Sequence, residues 1–189
     1  MIFKVGIDAS TTGTGLAIGK VDKKGNCKYY KSMVLATEKA KYNKGKLTKA
    51  EYKKKRIENT VNRTEDMIKS IYIQLNELLK KHQIQKVIIE DVYAGNDIFT
   101  LKMLGRIQGA VYGYCYKNNI EIEFKMPLHW RKELGFPITD EKGKRIKRDD
   151  YKKIAKEYII DKYGKDVSDD EAESICLLES DNKTNNSLS

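Results

Sequence analysis

Cysteine is scarce in this 189-residue chain, and the three that occur, Cys27, Cys115 and Cys176, lie far apart with no metal-ligand spacing. That argues against a disulfide scaffold and suggests three buried thiols in a reducing, cytoplasmic setting. Histidine is scarcer still: His82 and His129 are the only two. Neither has a serine or cysteine partner visible in the sequence, so catalysis by a protein nucleophile has little to build on. Both read as surface or packing residues. The single tryptophan, Trp130 in PLHWRKEL, reads as a core anchor rather than a reader of bases. No apolar run reaches the roughly 18 residues of a membrane helix, and no cleavable leader opens the chain. Neither a membrane span nor export is expected.

Positive charge is what the chain has in excess. Lys and Arg number 37 against 27 Asp and Glu, a formal net charge of +10. The excess is clustered: nine basic residues fall between Lys39 and Arg56 against one acid, Glu51, and seven more between Lys142 and Lys153. Clustered basic charge is the footprint of a polyanion, nucleic acid before anionic membrane. Lys44, Lys46, Lys53 and Lys54 of the first cluster and Lys144, Arg145, Lys147 and Arg148 of the second are the candidate phosphate contacts. The length suits one domain over residues 1–180, followed by a disordered polar tail, DNKTNNSLS, over 181–189.

Hydrophobic periodicity lays out the elements. Ile2 to Asp8, Thr14 to Val21 and Lys28 to Ala36 read as an antiparallel meander, the last two joined by the turn-forming KKGN. TKAE at Thr48 to Glu51 matches a capping box opening a long helix. Ile57, Val61, Thr64, Ile68, Ile71, Leu75 and Leu78 recur at alternating steps of four and three on its one apolar face. Lys86 to Glu90 is a short strand, Ile98 to Lys117 a helix, and Ile120 to Met126 a strand. A polar, glycine-containing stretch leads to a helix over Tyr151 to Tyr163, and a last helix runs from near Ser168 to about Glu179. The sum is an α/β protein: a mixed β-sheet, with an antiparallel N-terminal meander plus parallel strands, flanked by α-helices.

Two of the strands end on an acid. Asp8 closes the buried-looking VGID, and Glu90 closes KVIIE. A lone carboxylate at the end of a hydrophobic strand is costly to desolvate unless it is hydrogen-bonded, paired or bound to a cation. Functional groups collect beyond the carboxyl ends of strands joined by helical crossovers. The last helix adds SDDEAE, where Asp170 and Glu173 stand three apart on one face; Asp169 would share a face with Glu173 as well, so spacing leaves that choice open. If these acids converge, two carboxylates about 4 Å apart repel by roughly 4 kcal/mol at an effective dielectric near 20. Protonation or a divalent cation relieves this. Oxygen ligands suit Mg²⁺ or Mn²⁺, and an ion pair so held cleaves phosphodiesters.

With these acids in this order, the chain resembles the RuvC family of Holliday junction resolvases, of ribonuclease H-like fold. DASTTGTGLA places Asp8 before the Thr14-Gly15 pair, IIEDVYAGN places an aromatic, Tyr93, three residues after Glu90, and a glycine-bearing helix follows in LKMLGRIQGAVYGY. The departures are Ala9-Ser10 for a Pro-Gly, Tyr for Phe at position 93, Glu for Asp at position 173, and DEKGKRIKRDDYKK in place of the bacterial lysine segment. They point to a divergent, phage-type member. The resemblance implies an endonuclease for branched DNA, four-way junctions first, and leaves open whether forks or flaps are cut as well. It implies two Mg²⁺ ions held on Asp8, Glu90, Asp170 and Glu173, with Mn²⁺ able to substitute, and products with 5′ phosphate and 3′ hydroxyl ends. Tyr93 would stack on a base at the junction centre.

Two other readings share parts of this pattern. A non-catalytic junction-binding protein would use the basic clusters without the acids. An actin-like or sugar-kinase phosphotransferase would use DASTTGTG as a phosphate loop, but no second such loop or adenosine site is present in the sequence. Assembly is suggested by Gly105, Gly109 and Gly113, at steps of four along one helical stripe. Each costs about 1 kcal/mol relative to alanine, so another backbone comes close, either the chain's own sheet or the same helix of a second subunit. The resemblance implies a homodimer.

Overall fold

A computed structural model describes residues 1–38, 47–92 and 97–186, with side chains of the last helix to Asn182. Its sheet is centred on β1 (Ile2–Asp8), flanked by antiparallel β2 (Gly13–Val21) and parallel β4 (Gln83–Glu90). β3 (Cys27–Ala36) and β5 (Glu121–Lys125) form the edges, giving the order β3-β2-β1-β4-β5, with β3 antiparallel to β2 and β5 parallel to β4. The expected meander and parallel strands are both present. Among the described residues, no helix is long and apolar enough to cross a membrane.

Strand alternation divides the interior into two layers. Phe3, Val5 and Ile7 of β1 and Val87 and Ile89 of β4 pack with Met67, Ile71 and Leu75 of α1 (Lys49–Lys81) and Ile107 and Val111 of α2 (Ile98–Lys117). The opposite face, with Ala17 and Ile88, packs under α3 (Pro127–Glu133), α4 (Arg148–Tyr163) and α5 (Asp169–Asn186). Lys4, Gly6 and Asp8 alternate with the first set, so all three face α5. The capping box at Thr48 and Glu51 forms as expected. The apolar stripe of α1, however, is buried only from Thr64 onward, with Met67 in it and Ile57 40% exposed. A 33-residue helix is about 50 Å long, roughly twice the length of β1, so its first turns outrun the sheet.

α3 was not expected from the sequence; Pro127 at its first turn and only seven residues give little periodicity to read. α5 also differs. It runs beyond the expected end near Glu179, to Asn186, and Asp181 and Asn182 in this last stretch are tied to the sheet. Asp181 is 2% exposed and accepts from Lys4 Nζ at 2.6 Å and Lys86 Nζ at 2.9 Å. Burial alone would raise the Asp181 carboxyl, but those ammonium groups hold it below its ordinary value. Asn182 accepts from Cys27 N at 2.6 Å and donates to Cys27 O at 2.5 Å. Near the helix middle, a Cβ on Gly6 would stand 2.4 Å from Ser174 O, so glycine lets α5 lie directly on the strand backbone.

Asp181→Ala tests this anchor. It leaves Lys4 buried without its counter-ion, which costs about 3–5 kcal/mol, and the midpoint of urea unfolding should fall accordingly. Disorder beyond Glu179 in solution would instead leave the midpoint unchanged.

Candidate metal centre

Parallel pairing of β1 with β4 brings two acids together at one edge of the sheet. The ladder runs to Ile7↔Ile89, and the next residues on each strand are Asp8 and Glu90, both on the α5 side. Across the antiparallel pairing, Asp8 faces Gly15. A Cβ on Gly15 would stand 1.8 Å from Asp170 O, so only glycine lets the first turn of α5 come down beside Asp8. Carboxylate oxygens of Asp8, Asp170 and Glu173 then lie within 4.8 Å of one another. Asp169, which spacing alone could not separate from Asp170, has a side chain 50% exposed and stands outside this trio. Glu90 lines the same cavity of about 390 Å³ as Asp8.

The cluster is electrostatically strained without a cation. Burial, then the charges of Glu90, Glu173 and Asp170, pushes the Asp8 carboxyl well above its ordinary value. Burial and the neighbouring Glu173 push Glu90 up to about 7. Burial also raises Glu173, against the opposing pull of Lys152, Arg131 and Arg148. Lys152 Nζ stands 3.5 Å from Asp170 Oδ1 and 3.9 Å from Glu173 Oε2, and Arg131 Nη2 is 3.3 Å from Glu173 Oε1. These cations offset part of the charge. Four hard carboxylates, three of them with oxygens converging, are a donor set that fits Mg²⁺ or Mn²⁺.

The basic clusters divide. Arg145 and Arg148 line the acid cavity, and the Arg148 charge partly offsets the rise of the Asp8, Glu90 and Glu173 carboxyls. Lys144, on the stretch closed by the Thr139↔Arg145 bridge, and Lys147, the N-cap of α4, are exposed beside them. Lys53 and Lys54 are exposed on the first turns of α1. Lys44, Lys46 and Tyr93 lie outside the described residues. Three residues near the acids have no site role in the sequence reading. Trp130 is a core anchor at 0% exposure, as expected, but its Nε1 also donates to Glu90 Oε2 at 3.0 Å. Arg131 lies 4.3 Å from the Tyr151 ring centroid as well as against Glu173. Lys152 belongs to the second basic cluster, and only its place one turn beyond Arg148 on α4 hints at the site.

Comparison with known proteins bears on the fold that carries this site. Residues 44–135 match the family model of crossover junction endodeoxyribonuclease RuvC, a span that includes Glu90 but not Asp8, Asp170 or Glu173. Among curated proteins, none matches by sequence. The fold is similar to that of Thermus thermophilus RuvC in complex with a Holliday junction substrate, with TM-score 0.62 and 12% identity over 98% of this chain and 96% of that one. It is similar also to the fowlpox virus resolvase in complex with Holliday junction DNA (0.53, 15%, covering 96% and 97%). The yeast mitochondrial Holliday junction resolvase Ydc2 is a third (0.51, 10%, covering 98% and 81%). The likeness is one of fold, a five-stranded mixed sheet flanked by helices. The middle of the chain is thus similar in sequence to the RuvC family model, and nearly all of the chain is similar in fold to these resolvases.

The raised acids give a pH dependence with a definite sign. In EDTA the unfolded chain ionises first, so the fold loses stability as pH rises from 4.5, the ordinary glutamate value, to about 7, where Glu90 follows. Asp8 and Glu173 shift in the same direction. Urea titrations at about pH 5 and about pH 7.5 should show the lower midpoint at the higher pH, and Mg²⁺ should recover part of the loss. A midpoint that rises with pH in EDTA would contradict this assignment.

Proposed function

We propose that this protein is a divalent-metal-dependent endonuclease that resolves four-way DNA junctions by paired nicks. The observation that carries the reading is the convergence of Asp8, Asp170 and Glu173, with Asp8 and Glu90 lining a cavity that also presents Arg145 and Arg148. A binding protein without chemistry would have no use for these acids, since withdrawing them from water destabilises the fold. The similar Thermus thermophilus and fowlpox virus proteins are each bound to a Holliday junction, which supports the choice of branched DNA.

In this reading Asp8, Glu90, Asp170 and Glu173 hold the ions, two per site, with Mg²⁺ the physiological metal and Mn²⁺ a substitute. The bound metal supplies stabilisation of the charge that develops as a phosphodiester is cleaved. Arg145 and Arg148, at the mouth of the same cavity, draw the phosphate backbone toward the acids. Lys53, Lys54, Lys144 and Lys147 add salt-dependent affinity for the arms of the junction. Forks and flaps, which also present branch points, are the further substrates to test. The purified protein should cut a four-way junction in Mg²⁺, leave it intact in EDTA, and spare linear duplex. Asp8→Asn should keep wild-type junction binding and lose cleavage, as measured by gel shift and strand analysis. Wild-type cutting by Asp8→Asn would overturn the metal-centre reading.

Assembly follows from α2. Gly105, Gly109 and Gly113 are exposed, and a Cβ at any of them would meet nothing within 4 Å. Close approach to the chain's own sheet therefore does not account for them. Ile98, Tyr112 and Tyr116 are exposed on the same helix, at 73%, 50% and 79%. The junction has approximate two-fold symmetry, and a symmetric dimer placing α2 against its copy would set one site on each of two strands. Gly109→Leu, which crowds this stripe without touching the core, should sediment as a folded monomer and make unpaired nicks. A wild-type chain that stays monomeric with and without junction at micromolar concentration would contradict the dimer.

A further inference from the structure

α3 sets two consecutive side chains against acids that come from different elements. Trp130 is wholly buried, packed edge-on to Phe136 at 5.9 Å between ring centroids, and its indole N–H donates to Glu90 Oε2 of β4 at 3.0 Å. Arg131, the next residue, reaches Glu173 of α5. Its guanidinium lies 4.9 Å from the Trp130 ring centroid and 4.3 Å from that of Tyr151. Phenylalanine or leucine would supply apolar contact in such a core. Tryptophan adds a buried N–H that must find an acceptor, and the acceptor here is an acid of the site. A carboxylate with one oxygen engaged in this way has the other left to offer, in a fixed direction.

We infer that Trp130 is a positioning residue of the metal centre, holding Glu90 by one oxygen so that the other forms a single preset ligand position. The inference rests on the proposed metal-centre reading, and goes beyond it by assigning a role to a residue that touches neither metal nor substrate. Partners of this kind orient ligands, and their loss typically weakens metal affinity by about 10–100-fold.

The test is Mn²⁺ binding to the DNA-free protein, followed by the electron paramagnetic resonance of free Mn²⁺. Benzothienylalanine at position 130 keeps the shape of tryptophan and replaces the N–H with sulfur; Trp130→Phe serves as a second variant that keeps an aromatic ring. Leu134→Ala, on the turn that ends α3, is the packing control. The benzothienyl protein should bind Mn²⁺ about tenfold more weakly or worse, with circular dichroism and metal-free junction binding unchanged. Leu134→Ala should lower the melting temperature and leave Mn²⁺ affinity near wild type. Wild-type affinity in the benzothienyl protein overturns the positioning role, as does an equal loss in Leu134→Ala. Equal Mn²⁺ binding by wild type and Asp8→Asn is a different result, and it would remove the metal centre itself.

Discussion

The structure turns on the burial of carboxylates where the carboxyl ends of two adjacent parallel strands meet the first turns of α5. Asp8 is 8% exposed and Glu173 3%, and each is raised by burial and by acidic neighbours. A fold that only needed a core would not keep such a group, because hydrophobic replacements of similar volume cost nothing comparable. The surrounding features make sense as accommodation of this arrangement. Gly15 clears the path of α5 to Asp8, and α3 brings a donor to Glu90 and another to Glu173. α4 brings Lys152 and Arg148 within electrostatic reach.

α5 carries the two ends of that accommodation. Its first turn supplies Asp170 and Glu173, while Asp181 near its other end is locked to Lys4 and Lys86. Asp170 and Asp181 are separated by about 16 Å along a helix, and Lys4 and Asp8 by about 13 Å along a strand. α5 therefore runs antiparallel to β1, fastened by the Lys4–Asp181 ion pair at one end and laid close on the sheet at Gly6 and Gly15 toward the acids. Ion pairing at one end of the helix thereby helps hold the acids at the other in register, far from the bonded groups themselves.

Much of this was legible in the sequence because it obeys local rules. Strand alternation and the helix repeat locate the meander, β4, α2 and α4, and an acid ending an apolar strand declares itself at Asp8 and Glu90. The three-residue spacing of Asp170 and Glu173 is equally local. What the sequence left open required tertiary contact. Asp169 and Asp170 share a face option with Glu173, and only the approach permitted by Gly15 separates them. Asp181 and Asn182 read as tail because their partners, Lys4, Lys86 and Cys27, are distant along the chain. Trp130 reads as core because an indole N–H leaves no trace in a hydrophobic pattern; its acceptor is 40 residues away. The glycine stripe on α2 pointed to a close neighbour, and the fold removes the chain's own sheet from the choices.

The central claim is that these acids exist to hold divalent metal. Anomalous diffraction from crystals grown with Mn²⁺ measures this most directly. Strong anomalous density is expected between the Asp8, Asp170 and Glu173 carboxylates, with Glu90 contributing an oxygen and the Lys152 ammonium displaced from Asp170. Saturating Mn²⁺ that leaves the trio without anomalous density, with Lys152 still seated on the acids, would contradict the claim.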